Sequence, residues 1–100
     1  MIQVKFSDDP TKGGFNPEFL LLKWNEIKEL KNIKLTGLMT INPKGLNSKE
    51  NSELFKKCRS LADLLQLPDC SMGMSGDWEE AVEAGSTWLR LGSLIFGDRY

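Results

Sequence analysis

Four short apolar segments of strand character alternate with segments of helical period along the chain, and that alternation leaves few folds open. Ile2, Val4 and Phe6 alternate with Gln3 and Lys5, as in a half-buried strand. A loop punctuated by Asp8-Asp9-Pro10 and Gly13-Gly14 follows. Asn16-Pro17-Glu18 has the form of a helix start, with a cap, a proline in the first turn and an early acid. Leu20, Trp24, Ile27 and Leu30 share one face of that helix, which is expected to end near Lys31-Asn32. Residues 33–39 read as a second strand and 40–46 as a loop with a Pro43-Lys44-Gly45 bend. Asn47 and Glu50 have capping-box spacing ahead of a helix carrying Leu54, Cys58, Leu61 and Leu65, with Phe55 and Ala62 beside them. That helix is expected to end at Leu67-Pro68. Residues 69–72 read as a third strand and 73–76 as a tight loop. Asp77 with Glu80 is a further cap pattern, opening a short helix through Ala81 and Val82 that stops at Gly85. Residues 87–91 read as a fourth strand and 92–97 as one more helical turn. Strand–helix alternation of this kind implies an α/β fold, a parallel sheet with helices outside it. Four βα units amount to about half of a TIM-type (β/α)8 barrel.

One hundred residues make one small domain, here expected to span 1–100. The formal net charge is −1 and the charges are mixed along the chain, so no basic stripe marks a nucleic-acid partner. No apolar run approaches the roughly 20 residues that span a bilayer, and the N-terminus lacks a signal-peptide layout. There is no histidine, which removes Ser-His and Cys-His nucleophile pairs and histidine metal sites together. Cys58 and Cys70 are not in a metal or redox spacing. They are expected as buried free thiols in a reducing, cytoplasmic compartment.

In parallel βα folds the ligand lies at the carboxyl ends of the strands, and barrels often hold phosphate in the loops after late strands. Ser71 ends the third strand and offers a hydroxyl. Gly92 and Ser93 follow the fourth strand and open a helical turn, whose backbone N–H groups would face an anion. Arg90 shares a strand face with Trp88 and Gly92, while Thr87, Leu89 and Leu91 share the other. An arginine inside a barrel mouth needs a partner, because an unpaired buried charge is costly.

The run from Cys70 to Tyr100 resembles the C-terminal signature of the pyridoxal-phosphate homeostasis protein family, single-domain barrels of the alanine-racemase type. The matching residues are Ser71-Met72-Gly73-Met74-Ser75, Ala84-Gly85-Ser86-Thr87, Arg90-Leu91-Gly92, Ile95-Phe96-Gly97 and Arg99-Tyr100. Gly37-Leu38-Met39-Thr40-Ile41, Gln3-Val4 and the loop with Lys12 and Gly14 extend the resemblance over the chain. It implies that Ser71, Gly92 and Ser93 bind the phosphate of pyridoxal 5'-phosphate (PLP) and that Arg90 faces its ring nitrogen. Many relatives carry Thr where this chain has Ser93, and either supplies a hydroxyl. Met39, Met72 and Met74 would line the site, with plain core filling the alternative. Trp24 and Trp78 are expected to pack on the helices.

The family's Schiff-base lysine belongs to an early strand, and neither Lys5 nor Lys12 matches its motif. The chain is therefore expected to be the C-terminal half of such a barrel. Its open strand edges would pair with the other half or with a second copy. The resemblance implies a PLP carrier acting in cofactor homeostasis without strong catalysis of its own. The alternatives are a PLP-dependent amino-acid racemase and an inactive fragment that serves only assembly. A racemase of this fold needs a second base from an added β-domain, for which the chain has no room.

Overall fold

The computed structural model describes residues 1–6, 14–30 and 34–90, with only the backbone described at Arg90. The elements run β1 (Ile2–Gln3), α1 (Pro17–Lys28), β2 (Gly37–Met39), α2 (Ser48–Leu64), β3 (Asp69–Met74), α3 (Trp78–Glu83) and β4 (Trp88–Arg90). The strands form one parallel sheet in the order β1-β2-β3-β4, as the alternation implies. Sequential parallel neighbours joined by right-handed crossovers place every helix on the same face of a sheet. Accordingly Leu20 of α1, Phe55 and Cys58 of α2 and Ala81 of α3 form one core with Ile2, Leu38 and Cys70 of the strands.

Register assigns the two faces. Ile2, Leu38 and Cys70 are cross-strand partners and all are buried against the helices. One residue further along each strand, Gln3, Met39, Ser71 and Trp88 form a second row on the opposite face. At the outer edge of β1, Phe15 bridges to Val4: its N–H donates to Gln3 O at 2.8 Å and its carbonyl accepts from Lys5 N at 2.9 Å.

Local signals explain most boundaries. Asn16 Oδ1 accepts from the N–H groups of Glu18 (2.8 Å) and Phe19 (3.3 Å), and Pro17 fills the position that needs no donor. Leu20 is buried, and Trp24 and Ile27 pack against the core. The helix ends at Lys28, earlier than its apolar pattern suggests. Leu30 N–H turns back to Ile27 O at 3.2 Å, which leaves Leu30 50% exposed and off the buried face. Ile33, the expected start of the second strand, lies outside the described residues, and β2 begins at Gly37.

The capping box of α2 is complete: Glu50 N–H donates to Asn47 Oδ1 (2.8 Å) and Asn47 N–H to Glu50 Oε1 (3.2 Å). Its buried stripe is Phe55, Cys58, Leu61 and Ala62, so the face turns toward Phe55 and leaves Leu54 half-buried. The helix stops at Leu64, short of Leu67-Pro68, because Gln66 adopts a left-handed conformation at φ 60°. Gln66 N–H then donates to Asp63 O (3.1 Å) and Leu67 N–H to Ala62 O (2.8 Å), the Schellman pattern with glutamine where glycine is usual.

β3 extends to Met74, beyond the expected loop start at Gly73, and α3 departs from its predicted cap. Asp77 makes no side-chain cap; its Oδ1 accepts from Met74 N–H at 2.8 Å, and Glu80 Oε1 accepts from Ser48 Oγ at 3.0 Å. Gly85, at φ +102°, does end α3, with its N–H on Val82 O (3.1 Å) and Ser86 N–H on Ala81 O (3.0 Å).

Candidate functional site

Ser71 follows Cys70 in β3, so the pleat turns it away from the helices. Cys70 marks the other direction, because its Sγ approaches Cys58 O of α2 at 3.9 Å. Ser71 is in register with Met39 of β2 and Trp88 of β4. Its carbonyl accepts from Thr40 N–H at 3.1 Å, which ties β3 to the carboxyl end of β2. Met39 is half-buried beside Ser71, and Trp88 is 59% exposed on its other side.

Met72 does not join this row. It shares the helix-facing side with Cys70 and is fully buried in the core, so the expectation that it lines the site is corrected to core packing. Trp24 and Trp78 are half-buried helix residues, as expected.

Beyond Ser71 the two strands fall out of step. Ser71 opposes Trp88 and Met74 opposes Arg90, so three residues of β3 advance against two of β4. The extra residue makes a bulge containing Gly73 at φ +99°. A Cβ there would lie 2.7 Å from Ala81 Cβ and 2.9 Å from Leu89 Cδ2, so only glycine fits without displacing α3 or β4. Arg90 is the last described residue of β4. Gly92, Ser93 and the expected helical turn over 92–97 lie outside the described residues, as does Lys12.

Two hydroxyl groups stitch the bulged region. Thr87 Oγ1 accepts from Cys70 N–H at 2.9 Å, and Thr87 N–H donates to Cys70 O at 2.9 Å. Ser86 Oγ accepts from Met72 N–H at 3.3 Å and lies 2.8 Å from both Met72 O and Trp88 O. Arg59 holds the segment that enters them: its guanidinium donates to Asp63 (2.7 Å), Leu67 O (3.0 Å), Pro68 O (3.2 Å) and Gly85 O (3.3 Å). Sequence reasoning gave Ser86 and Thr87 no role. The available signal was two hydroxyl residues between the helix stop and the strand, but it does not name their partners.

Next to this row, a groove of about 320 Å3 opens between the loop after β2, from Asn42 to Leu46, and the turn of Met74, Gly76 and Asp77 after β3. Asn42 braces that loop by donating to Asn51 Oδ1 at 2.9 Å. Met74, 46% exposed, lines this groove and not the row of Ser71. Below the site the two cysteines are free and buried. The hydrogen bond between their thiols, and then burial, pushes Cys58 well above the ordinary thiol range. The same bond, with the charge of Arg59, pulls Cys70 down against the effect of its burial. Such inward thiols are packing groups and not nucleophiles. Among the described residues no cluster of His, Cys, Asp or Glu could hold a metal ion, and no helix is long and apolar enough to cross a membrane.

The whole chain, residues 1–100, matches the family described as alanine racemase, N-terminal domain. It is 42% identical over 105 residues to the pyridoxal phosphate homeostasis protein of Synechocystis sp., covering 99% of this chain and 48% of that protein. For the protein of the same name from Aquifex aeolicus the identity is 44%, with 99% and 46% covered. Among solved structures, PipY of Synechococcus elongatus without PLP aligns at a TM-score of 0.92 and 40% identity over 96% of this chain and 48% of that one. PipY with PLP bound aligns at 0.89 and 38%, over 96% and 47%. The chain thus spans about half the length of the curated relatives it matches.

Proposed function

The chain belongs to the alanine racemase N-terminal domain family, and from that premise we propose that it binds PLP and serves cofactor homeostasis as a carrier. The observation that carries this reading is Ser71. Its hydroxyl-bearing position lies on the face opposite the core, within β3 and in register with Met39, the last residue of β2, in a fold that aligns with PipY with PLP bound at a TM-score of 0.89. Ligands of parallel βα folds lie at the carboxyl ends of the strands, where the row of Met39 and Ser71 meets the end of β2.

In this reading Ser71 donates to the cofactor phosphate, and Gly92 and Ser93, which follow β4 in the chain, supply backbone and hydroxyl donors to the same group. Met39 borders the site beside Ser71. Arg90 faces the pyridine nitrogen. A permanent cation there disfavours the protonated ring. PLP serves as an electron sink in amino-acid chemistry, and an unprotonated ring is a weaker one. The site therefore suits holding the cofactor over turning it over. We place the lysine that binds the cofactor covalently outside residues 1–100, on the other half of a (β/α)8 barrel of which this chain is the C-terminal half. β1 and β4 are the outer strands of the described sheet. Phe15 already takes the outer-edge groups of Gln3 and Lys5, so the edge of β4 and the remainder of β1 would pair with that half or with a second copy, in a cytoplasmic protein.

Trp88 neighbours Ser71 on the same face, so its fluorescence reports on the site directly. Titration with PLP is expected to quench it saturably, and Trp88→Phe to abolish most of the change. Ser71→Ala is expected to weaken PLP by roughly 10- to 100-fold, the loss of one hydrogen bond to a charged group. Borohydride reduction followed by intact mass is expected to show no stoichiometric lysine adduct on this chain alone. Equal affinity of the wild-type chain and Ser71→Ala for PLP would refute the phosphate assignment. Racemisation of alanine well above that of free PLP would replace the carrier reading by an enzymatic one.

A further inference from the structure

The groove between the loop after β2 and the turn after β3 carries polar groups that the fold does not use. Asn42 is only 8% exposed, yet it lines the groove. Its Nδ2 directs both protons at α2, to Asn51 Oδ1 at 2.9 Å and to Asn51 O at 3.3 Å. Its Oδ1 accepts from no described residue. Full burial in that state would be costly, and among the described residues no fully buried side-chain oxygen or nitrogen lacks a partner. Asn42 Oδ1 is therefore reached from the groove that the residue lines. On the wall made by the turn after β3, Asp77 Oδ1 accepts from Met74 N–H at 2.8 Å, which fixes the carboxylate and leaves Oδ2 open. Lys44, on the wall made by the loop after β2, is exposed and forms no ion pair with any described residue, Asp77 included. Leu46 and Met74 add apolar surface beside these groups.

These groups ask for opposite charges. The Lys44 ammonium suits an anion, while Asp77 Oδ2 and Asn42 Oδ1 suit a cationic donor. A ligand with one charge satisfies one wall only, whereas a zwitterion satisfies both. We propose that the groove binds a free α-amino acid with an apolar side chain. Its carboxylate meets Lys44, its ammonium donates to Asp77 Oδ2 and Asn42 Oδ1, and its side chain lies against Leu46 and Met74. The volume of about 320 Å3 stands at the small end of ligand pockets, as a molecule of that size requires. The groove opens beyond β2 and β3 on their carboxyl side, where ligands of parallel βα folds lie. Two of its acceptors are held before any ligand arrives, Asn42 by α2 and Asp77 by the Met74 backbone, so binding orders little that is not already ordered. The site takes no residue from the row of Ser71, and it stands whether or not the chain binds PLP.

The test is an amide-resolved NMR titration with L-leucine and with two analogues that each lack one charge, 3-methylbutylamine and 4-methylpentanoate. It is run without PLP on the wild-type chain, Lys44→Met and Asp77→Asn. Leucine is expected to saturate one site with a Kd of about 1 mM and to shift the side-chain amides of Asn42 and Asn51. Each analogue is expected to bind about tenfold more weakly than leucine. Lys44→Met should weaken leucine by about tenfold and leave the amine analogue unchanged. Asp77→Asn, which keeps an acceptor for Met74 N–H, should weaken leucine to the same degree and leave the carboxylate analogue unchanged. No saturable shift up to about 10 mM leucine overturns the proposal. So does unchanged leucine affinity in either variant, or an analogue that binds as well as leucine. Should Asp77→Asn not fold, the analogue series on the wild-type chain and Lys44→Met decides by the same criteria. None of these outcomes bears on the phosphate reading of Ser71, which its own substitution tests.

Discussion

The bulge that offsets β3 from β4 depends on a glycine, and the four glycines 37, 45, 73 and 76 separate the two reasons a glycine can be needed. Gly73 has both: φ is +99°, and a Cβ would meet Ala81 Cβ at 2.7 Å and Leu89 Cδ2 at 2.9 Å. Gly45 has only the first, with φ +86° and nothing within 4 Å. Gly37 has only the second, since its φ is unremarkable for an L-residue but a Cβ would lie 2.1 Å from Asp69 O of the adjacent strand. Gly76 has neither. The conformational term for alanine in the left-handed region is about 1–2 kcal/mol. Forcing a methyl into packed surroundings adds about 1–3 kcal/mol. Restricting the unfolded chain returns about 0.4–1 kcal/mol in every case. Gly73→Ala should therefore cost about 3 kcal/mol, since Ala81 is fully buried and cannot move aside. Gly45→Ala should cost about 1 kcal/mol and Gly76→Ala should be neutral or slightly stabilising. Gly37→Ala should cost at least as much as Gly73→Ala, because the obstacle is the backbone of a strand. For a domain of this size 1 kcal/mol moves the midpoint by roughly 4–8 °C, so Gly73→Ala should melt about 12–24 °C below the parent. Thermal unfolding followed by circular dichroism reads all four directly. A Gly73→Ala midpoint no lower than that of Gly45→Ala would mean that α3 and β4 do not close on the bulge, and the packing argument would fail.

Three further outcomes follow from the same contacts. Gln66→Gly should raise stability by about 0.5–1 kcal/mol in urea unfolding, because Gln66 holds a left-handed C-terminal position of α2 that glycine adopts without a Cβ penalty; a loss of stability would count against the helix end described here. Arg59→Met should cost about 2 kcal/mol, since it leaves Leu67, Pro68 and Gly85 carbonyls without their guanidinium donor, and Arg59→Lys should recover only part of that, as an ammonium cannot span the same fork. Cys58 and Cys70 should resist a thiol-alkylating reagent in the native protein and react together in urea, with mass spectrometry counting the adducts; rapid native labelling of either would contradict their burial.

Signals that act within one helical turn were readable from the sequence. Asn16 and the Asn47–Glu50 pair cap their helices as their spacing implies, and Gly85 ends α3. Asp77 and Glu80 have the same three-residue spacing as Asn47 and Glu50, yet they do not cap. The difference is tertiary. The turn after the β3 bulge presents Met74 N–H to Asp77, and α2 presents the Ser48 hydroxyl to Glu80, so both carboxylates are already engaged. The end of α2 at Leu64 was hidden for a related reason. Its stop residue is a glutamine, and what holds Gln66 left-handed is the burial of Leu67 behind it and the Arg59 donor on the Leu67 carbonyl.

The site divides in the same way. The sequence suggests Ser71 by its hydroxyl and an expected place at a strand end; β3 runs on to Met74, so Ser71 lies mid-strand, on the face opposite the core beside Met39 and Trp88. Met72 could have been set aside without a structure, because adjacent strand residues point to opposite faces and a site that takes Ser71 excludes its neighbour. The bulge alters this parity only after Met72, where Gly73 allows β3 to gain a residue on β4. No local pattern announces that gain. The hydroxyls that hold the strands together there, Ser86 and Thr87, meet partners 14 and 17 residues earlier in the chain. Their significance exists only once β3 and β4 lie side by side. Where a bulge interrupts the ladder between two strands, a hydroxyl on the incoming segment supplies the missing cross-tie.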